Sequence, residues 1–203
     1  MFSSLEKRGF KFGRKIGQGS SSVVLKAIIT DRNGTVLELA CKIVDKKKSS
    51  SEFLIKFFPR ELELMKKIKH PNIIGIHGIL ESKNIVFIFQ QFAEKGNLLD
   101  KIISLNNVEE NLARTWSRQI VAGINYLHSI SYAHRDLKCE NILISRHNNV
   151  KVNFSLNCCK IFLVSFFDDF RSATLVTWEM LWWTTRTWKF YLEHFVDQNV
   201  KRS

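Results

Sequence analysis

Cysteine is scarce. The four present, Cys41, Cys139, Cys158 and Cys159, have neither metal-ligand spacing nor the framework of a disulfide-stapled secreted domain, which excludes both as organising features and suits a reducing cytosolic compartment. Long apolar runs are missing as well. Ile161 to Phe167 is cut off by Asp168-Asp169, far short of the roughly 20 residues a membrane-spanning helix needs. The opening Met1-Phe2-Ser3-Ser4-Leu5-Glu6-Lys7-Arg8 has no apolar signal region. A soluble, cytoplasmic protein without a membrane span is the expectation. Acidic residues are outnumbered 19 to 31 by basic ones, for a net charge of +12. Such a surplus raises nucleic acid or a membrane surface as partners. No nucleic-acid recognition signature accompanies it, however, and Lys46-Lys47-Lys48 and Lys66-Lys67 read as solvated edges, so no nucleic-acid partner is expected.

What is present is an apolar fraction of 45%, enough to fill a core, and one run in which nearly every polar position has a chemical use: His134-Arg135-Asp136-Leu137-Lys138-Cys139-Glu140-Asn141. A hydroxyl nucleophile attacking a γ-phosphate needs a carboxylate to orient it and take its proton, and Asp136 sits where that base belongs. Lys138, two residues on, can hold its ammonium against the transferring phosphate. Asn141 offers a carboxamide oxygen to a magnesium ion, a hard cation that takes oxygen ligands. His134 and Arg135 read as scaffold. A bare His-Arg-Asp triplet would fit any charged surface turn; the eight-residue run with Lys and Asn at these offsets reads as a kinase catalytic loop.

Upstream, Phe10 to Ile16 and Val23 to Ile29 read as strands around the turn Gly17-Gln18-Gly19-Ser20-Ser21-Ser22. A Gly-x-Gly alone also fits a plain hairpin. The β-branched strand after it favours a flap over phosphates, because a dinucleotide fold would place a helix there. Gly34 marks a turn before the strand Val36 to Val44, which carries Lys42 in an apolar run. Taken alone, Lys42 is either an edge lysine turned to solvent or a buried one that needs a partner. Pro59 suits the first turn of a helix in which Leu62, Met65 and Ile68 recur at helical spacing. Glu61, near the start of that helix, is the candidate partner for Lys42, with Glu63 as competitor. His70-Pro71-Asn72-Ile73-Ile74 breaks the helix, and two strands follow, Ile74 to Leu80 and Ile85 to Phe89. The link Gln90-Gln91-Phe92-Ala93-Glu94-Lys95-Gly96-Asn97 reads as a boundary between lobes.

Glu110 to Ile130 carries Leu112, Trp116, Ile120, Ile124 and Leu127, one wide apolar stripe that reads as a core helix delivering the catalytic loop. Ile142-Leu143-Ile144 and Val150-Lys151-Val152 then form a small hairpin.

Together, Ile16-Gly17-Gln18-Gly19, Ala40-Cys41-Lys42-Ile43-Val44, Phe58-Pro59-Arg60-Glu61-Leu62, His70-Pro71-Asn72-Ile73-Ile74 and the octapeptide resemble the testis-specific serine/threonine kinases, within the calmodulin-kinase-like group, over about residues 8 to 152. The resemblance implies an α+β, bilobal kinase fold. Residues 8–93 would be the complete N-lobe, a β-sheet plus a helix; 94–155 would be only the first part of the helical C-lobe. It implies ATP and Mg²⁺ as cofactors and a protein serine or threonine as substrate. Ile16, Gly17 and Gly19 would cover the phosphates, Val24 and Ala40 would pack on the adenine with Leu143 beneath it, and the backbone of Gln91 and Ala93 would hydrogen-bond its edge. Gln90 would guard the back of the pocket and Asn97 would reach the ribose. Lys42 would contact the α- and β-phosphates, held by Glu61.

The sequence then departs from that pattern. Where these kinases carry Asp-Phe-Gly or Asp-Phe-Ser, this chain has Asn153-Phe154-Ser155. Asn153 either takes the place of the metal-binding Asp or is displaced from it by a one-residue deletion. A neutral amide supplies no charge against Mg²⁺, so an inactive nucleotide-binding or partner-binding pseudokinase is the competing reading. An anionic-membrane binder using the tail tryptophans ranks behind both. Residues 156–203 resemble no kinase and hold Trp178, Trp182, Trp183 and Trp188. Read one base out of frame, Leu192 to Gln198 permit Ser-Arg-Thr-Phe-Cys-Gly-Ser, which resembles the activation segment of this kinase group. The expectation is a frame-shifted or intron-derived tail in place of a substrate-binding lobe.

Overall fold

The computed structural model describes residues 5–19, 22–30, 33–48, 58–153 and 159–160. The tip of the glycine turn at Ser20-Ser21, the side chain of Glu61, and the tail beyond Asn153 apart from Cys159 and Lys160 lie outside the described residues.

Five antiparallel strands make the first half: β1 (Phe10–Gln18), β2 (Ser22–Thr30), β3 (Val36–Asp45), β4 (Ile76–Glu81) and β5 (Ile85–Gln91), in the order β1-β2-β3-β5-β4. Side chains alternate between the faces of a strand, and β3 shows how the sequence uses this. Leu39 and Cys41 join Ala27, Phe87, Phe89 and Leu5 on the outer face. Ala40, Lys42 and Val44 take the opposite face, where Val44 meets Val86 and Ile88 in the main core. Strand β5 is apolar without alternation because both of its faces are covered: Val86 and Ile88 are fully buried toward one side, Phe87 and Phe89 nearly so toward the other. Strand β1 runs through Gly17 to Gln18, two residues beyond the run the sequence suggests.

Helix α1 (Phe58–Lys67) lays Leu62, Leu64 and Met65 on the inner face of the sheet, with Ile68 just past its end. The following loop crosses to the second half. There Ile74 donates its amide to Val152 O (2.9 Å), Val152 donates to Asn72 O (2.8 Å), and Asn72 Nδ2 donates to Val150 O (3.1 Å).

Helix α2 (Leu98–Leu105), not anticipated from the sequence, is capped by Asn97, whose Oδ1 accepts from the Asp100 amide at 2.8 Å. Helix α3 (Glu110–Ser129) buries Trp116, Gly123 and Leu127, and its half-buried Leu112, Ile120 and Ile124 pack on the same core. The indole of Trp116 donates to Asn148 O (2.9 Å), and Gln119 accepts from the Val150 amide (2.8 Å), which ties α3 to the hairpin β7 (Ile142–Ile144) and β8 (Val150–Val152). A two-residue strand β6 (Tyr132–Ala133) pairs with β9 (Cys159–Lys160). One apolar cluster contains Val44, Met65, Ile88, Leu127, Ile142 and Val152, so sheet, helices and hairpin share a single core. This is the α+β kinase-like architecture expected of the sequence.

Candidate active site

The octapeptide from His134 to Asn141 leaves β6 and turns sharply at Arg135, whose φ of +59° is left-handed. Its anchor is His134, 4% exposed. Its Nδ1 accepts the Asp136 amide (3.3 Å), which leaves the ring proton on Nε2 to donate to Asn153 O (2.9 Å). Scaffold was the expectation for His134, and both ring nitrogens are used in that way.

Asp136, Lys138 and Asn141 lie together in the loop. Asn141 closes a short turn by donating its amide to Lys138 O (2.9 Å). Its Nδ2 then donates both to Asp136 Oδ2 (2.8 Å) and to Asp136 O (2.7 Å). Lys138 Nζ stands 3.5 Å from Asp136 Oδ1. Asn153 joins them from β8: its amide donates to Asn141 O (2.8 Å) while its carbonyl is held by His134. The Oδ1 of Asn153 is buried and has no hydrogen-bond partner among the described residues. An orphaned oxygen on a residue bonded through its backbone to Asn141 suits an oxygen-seeking cation such as Mg²⁺ in donor type. The charge is sparse, since Asp136 is the carboxylate of this group and no cluster of three His, Cys, Asp or Glu side chains exists among the described residues.

The nucleotide-side residues are distributed as follows. The register pairs Gly17 with Val24, and Val24 with Lys42 across β2 and β3. A Cβ on Gly17 would lie 3.5 Å from the Val24 side chain, an ordinary packing contact. Gly19 donates its amide to Ser22 O (2.8 Å), closing the turn. Ala40 is buried, Lys42 is half-buried on the same face, and Ile16 is exposed. That face looks toward the core holding Val152, the residue before Asn153. Glu61 lies in α1. Gln91 donates its amide to Gly75 O (2.8 Å), and the carbonyl of Ala93 accepts from Gly96 (3.4 Å). Leu143 is half-buried between the inward Ile142 and Ile144, so it faces the other way. Burial pushes the Cys41 thiol, next to Lys42, up to about 12, and burial followed by the Glu140 charge raises Cys139, so both stay protonated thiols at neutral pH.

Asn97, which the resemblance sets near the ribose, caps α2 through its Oδ1, and its Nδ2 donates to Asp100 Oδ2 (2.8 Å). Two charged residues beside the connector escaped the sequence reading. Glu94 is bound twice by Arg146, which is 52 positions away and gives no local signal.

The protein kinase domain profile matches residues 10–155. Testis-specific serine/threonine-protein kinase 4 of Homo sapiens is 39% identical over 151 residues, 74% of this chain and 45% of that protein. Testis-specific serine/threonine-protein kinase 1 of Mus musculus is 36% identical over 160 residues, 77% of this chain and 43% of that protein. The hormonally up-regulated neu tumor-associated kinase homolog of Xenopus tropicalis is 36% identical over 152 residues, 74% of this chain and 21% of that protein. The chain thus spans less than half the length of these curated relatives.

Proposed function

Because the chain belongs to the protein kinase domain family, we propose that it binds ATP and transfers the γ-phosphoryl group to a serine or threonine hydroxyl of a protein. The observation that carries this reading is the Asp136 carboxylate held by Asn141 and faced by Lys138. The substrate oxygen forms a bond to phosphorus, the bond to the ADP oxygen breaks, and the hydroxyl proton passes to Asp136. Lys138 lies where negative charge spreads over the phosphoryl oxygens. Ile16, Gly17 and Gly19 cover the phosphates and Lys42, supported by Glu61, grips them. Val24 and Ala40 sit above the adenine, Leu143 below it, and the Gln91 carbonyl and Ala93 amide meet its edge. Asn141 and Asn153 would hold Mg²⁺, which offsets phosphate charge when bound. The test is transfer of radiolabel from ATP to a basic protein, with Asp136→Asn as the control. Transfer that survives Asp136→Asn would overturn the assignment.

A second reading, an inactive nucleotide-binding pseudokinase, is favoured by the neutral amide at Asn153. Nucleotide-induced thermal stabilisation without transfer would support it.

For the tail we adopt the shifted-frame reading, supported by the profile match ending at residue 155. Sequencing the transcript across codons 150 to 203 tests it. An interrupted or shifted frame is expected, and an uninterrupted read in the present frame would overturn it.

A further inference from the structure

The connector between sheet and helical half, Gln91 to Gly96, is pinned from both sides by charged groups outside the catalytic cluster. From below, Glu94 takes two bonds from one residue of the β7–β8 turn: the Arg146 amide to Oε2 (2.8 Å) and Arg146 Nε to Oε1 (2.7 Å). Neighbouring backbone locks the same stretch. Lys95 donates its amide to Ile144 O (3.1 Å), Ile144 donates to Gly96 O (2.9 Å), and Lys95 Nζ reaches Asn148 Oδ1 (2.6 Å). From above, Lys26 on β2 pairs with Glu38 on β3 (2.5 Å), and its ammonium lies 4.9 Å from the centre of the Phe92 ring.

Ala93 sits between these two attachments, one residue from Phe92 and one from Glu94. A fork in which one carboxylate binds both the side chain and the backbone of its partner restricts position as well as supplying attraction. The attachment on Glu94 bears on the neighbouring Ala93 amide, and binding is stronger when a donor is held in place beforehand. Among the described residues no bond runs from this pair to Asp136, Lys138 or Asn141, so its influence should fall on base recognition rather than on transfer.

We propose that Glu94 and Arg146 are positioning residues for nucleotide selection, holding the Ala93 amide where an adenine edge is read. This rests on the nucleotide-binding reading above. The test is displacement of a fluorescent triphosphate by ATP and by GTP, on the full chain and on Glu94→Ala, Arg146→Ala and the double variant. Glu94→Ala should lose about tenfold in ATP affinity, Arg146→Ala a smaller part of that because its backbone amide still holds Glu94, and each less than twofold in GTP affinity, since phosphate contacts are untouched. The double variant should lose no more than Glu94→Ala, which already removes both arms, whereas Arg146→Ala keeps the backbone arm. Lys67→Ala, which breaks the exposed pair with Glu63, should change nothing. Equal losses for both nucleotides, or additive losses in the double variant, would overturn the proposal and leave the pair a fold-stabilising contact. Absence of triphosphate binding by the unsubstituted chain would instead sink the nucleotide-binding reading, and this inference with it.

Discussion

Asn141 and Asp136 are joined twice: one carboxamide nitrogen donates to the carboxylate at 2.8 Å and to the backbone carbonyl at 2.7 Å. The pair of hydrogen bonds ties the loop to itself, so rotating the carboxylate proposed as base costs its bond to Asn141. Hydrogen bonds to charged groups contribute about 1.5–3 kcal/mol net, less here because the Asp136 side chain is 33% exposed. Asn141→Ala should therefore cost about 1–2 kcal/mol in urea unfolding and abolish phosphoryl transfer. Retained transfer would separate Asn141 from the chemistry.

Asn153 carries the departure from the expected metal-binding acid. Its Oδ1 is already buried and unpartnered among the described residues, so Asn153→Asp would place there a charge that a cation would satisfy. A buried charge left unpaired costs more than the about 1–3 kcal/mol of a neutral group. The variant should melt earlier than the parent in chelator and recover when Mg²⁺ is added, while the parent shows the smaller response. If the parent is stabilised by Mg²⁺ as strongly as the variant, the amide is not limiting.

Gly123 marks the closest approach of α3 to the crossing loop. A Cβ there would stand 2.8 Å from Asn72 O and 3.3 Å from Val152 Cγ2, and Asn72 O is held in place by the Val152 amide at 2.8 Å. Helix propensity alone would favour alanine by about 1 kcal/mol, but overpacking typically costs about 1–3 kcal/mol, and here the obstacle is backbone. Gly123→Ala should lower unfolding stability by up to about 2 kcal/mol. A stabilised variant would show that the loop can retreat.

Burial, with the Lys151 charge secondary, holds His70 below the ordinary histidine range, and burial does the same for His128. The folded protein therefore takes up these protons less readily than the unfolded chain. The stability each contributes is complete above about 6.5, the unfolded value, and is lost as pH falls through the lower folded value. The His70 ring also accepts the Asn72 amide (3.1 Å) and stacks on Tyr126 at 5.0 Å. Melting temperature should decline from about pH 7.5 to about 5.5, and His70→Gln should flatten that decline. An unchanged slope would place the dependence elsewhere.

Much of this protein is legible in one dimension because its signals are local. Asp136, Lys138 and Asn141 lie within six consecutive residues, so a turn of the chain suffices to bring them together. The stripe from Leu112 to Leu127 repeats with the helical period, and the unbroken apolar run of β5 announces a strand covered on both faces. Helix α2 was missed because its eight residues are too few to establish a helical period, although Asn97 and Asn106 bracket it as caps. Other relationships belong to the folded chain alone. His134 meets Asn153 across 19 positions, Glu94 meets Arg146 across 52 and Asn72 meets Val150 across 78. Chain periodicity encodes which face a residue takes; it carries no record of which distant segment will close against that face. That pairing is set by the shared core from Val44 to Val152, which forms only when sheet, helices and hairpin pack at once.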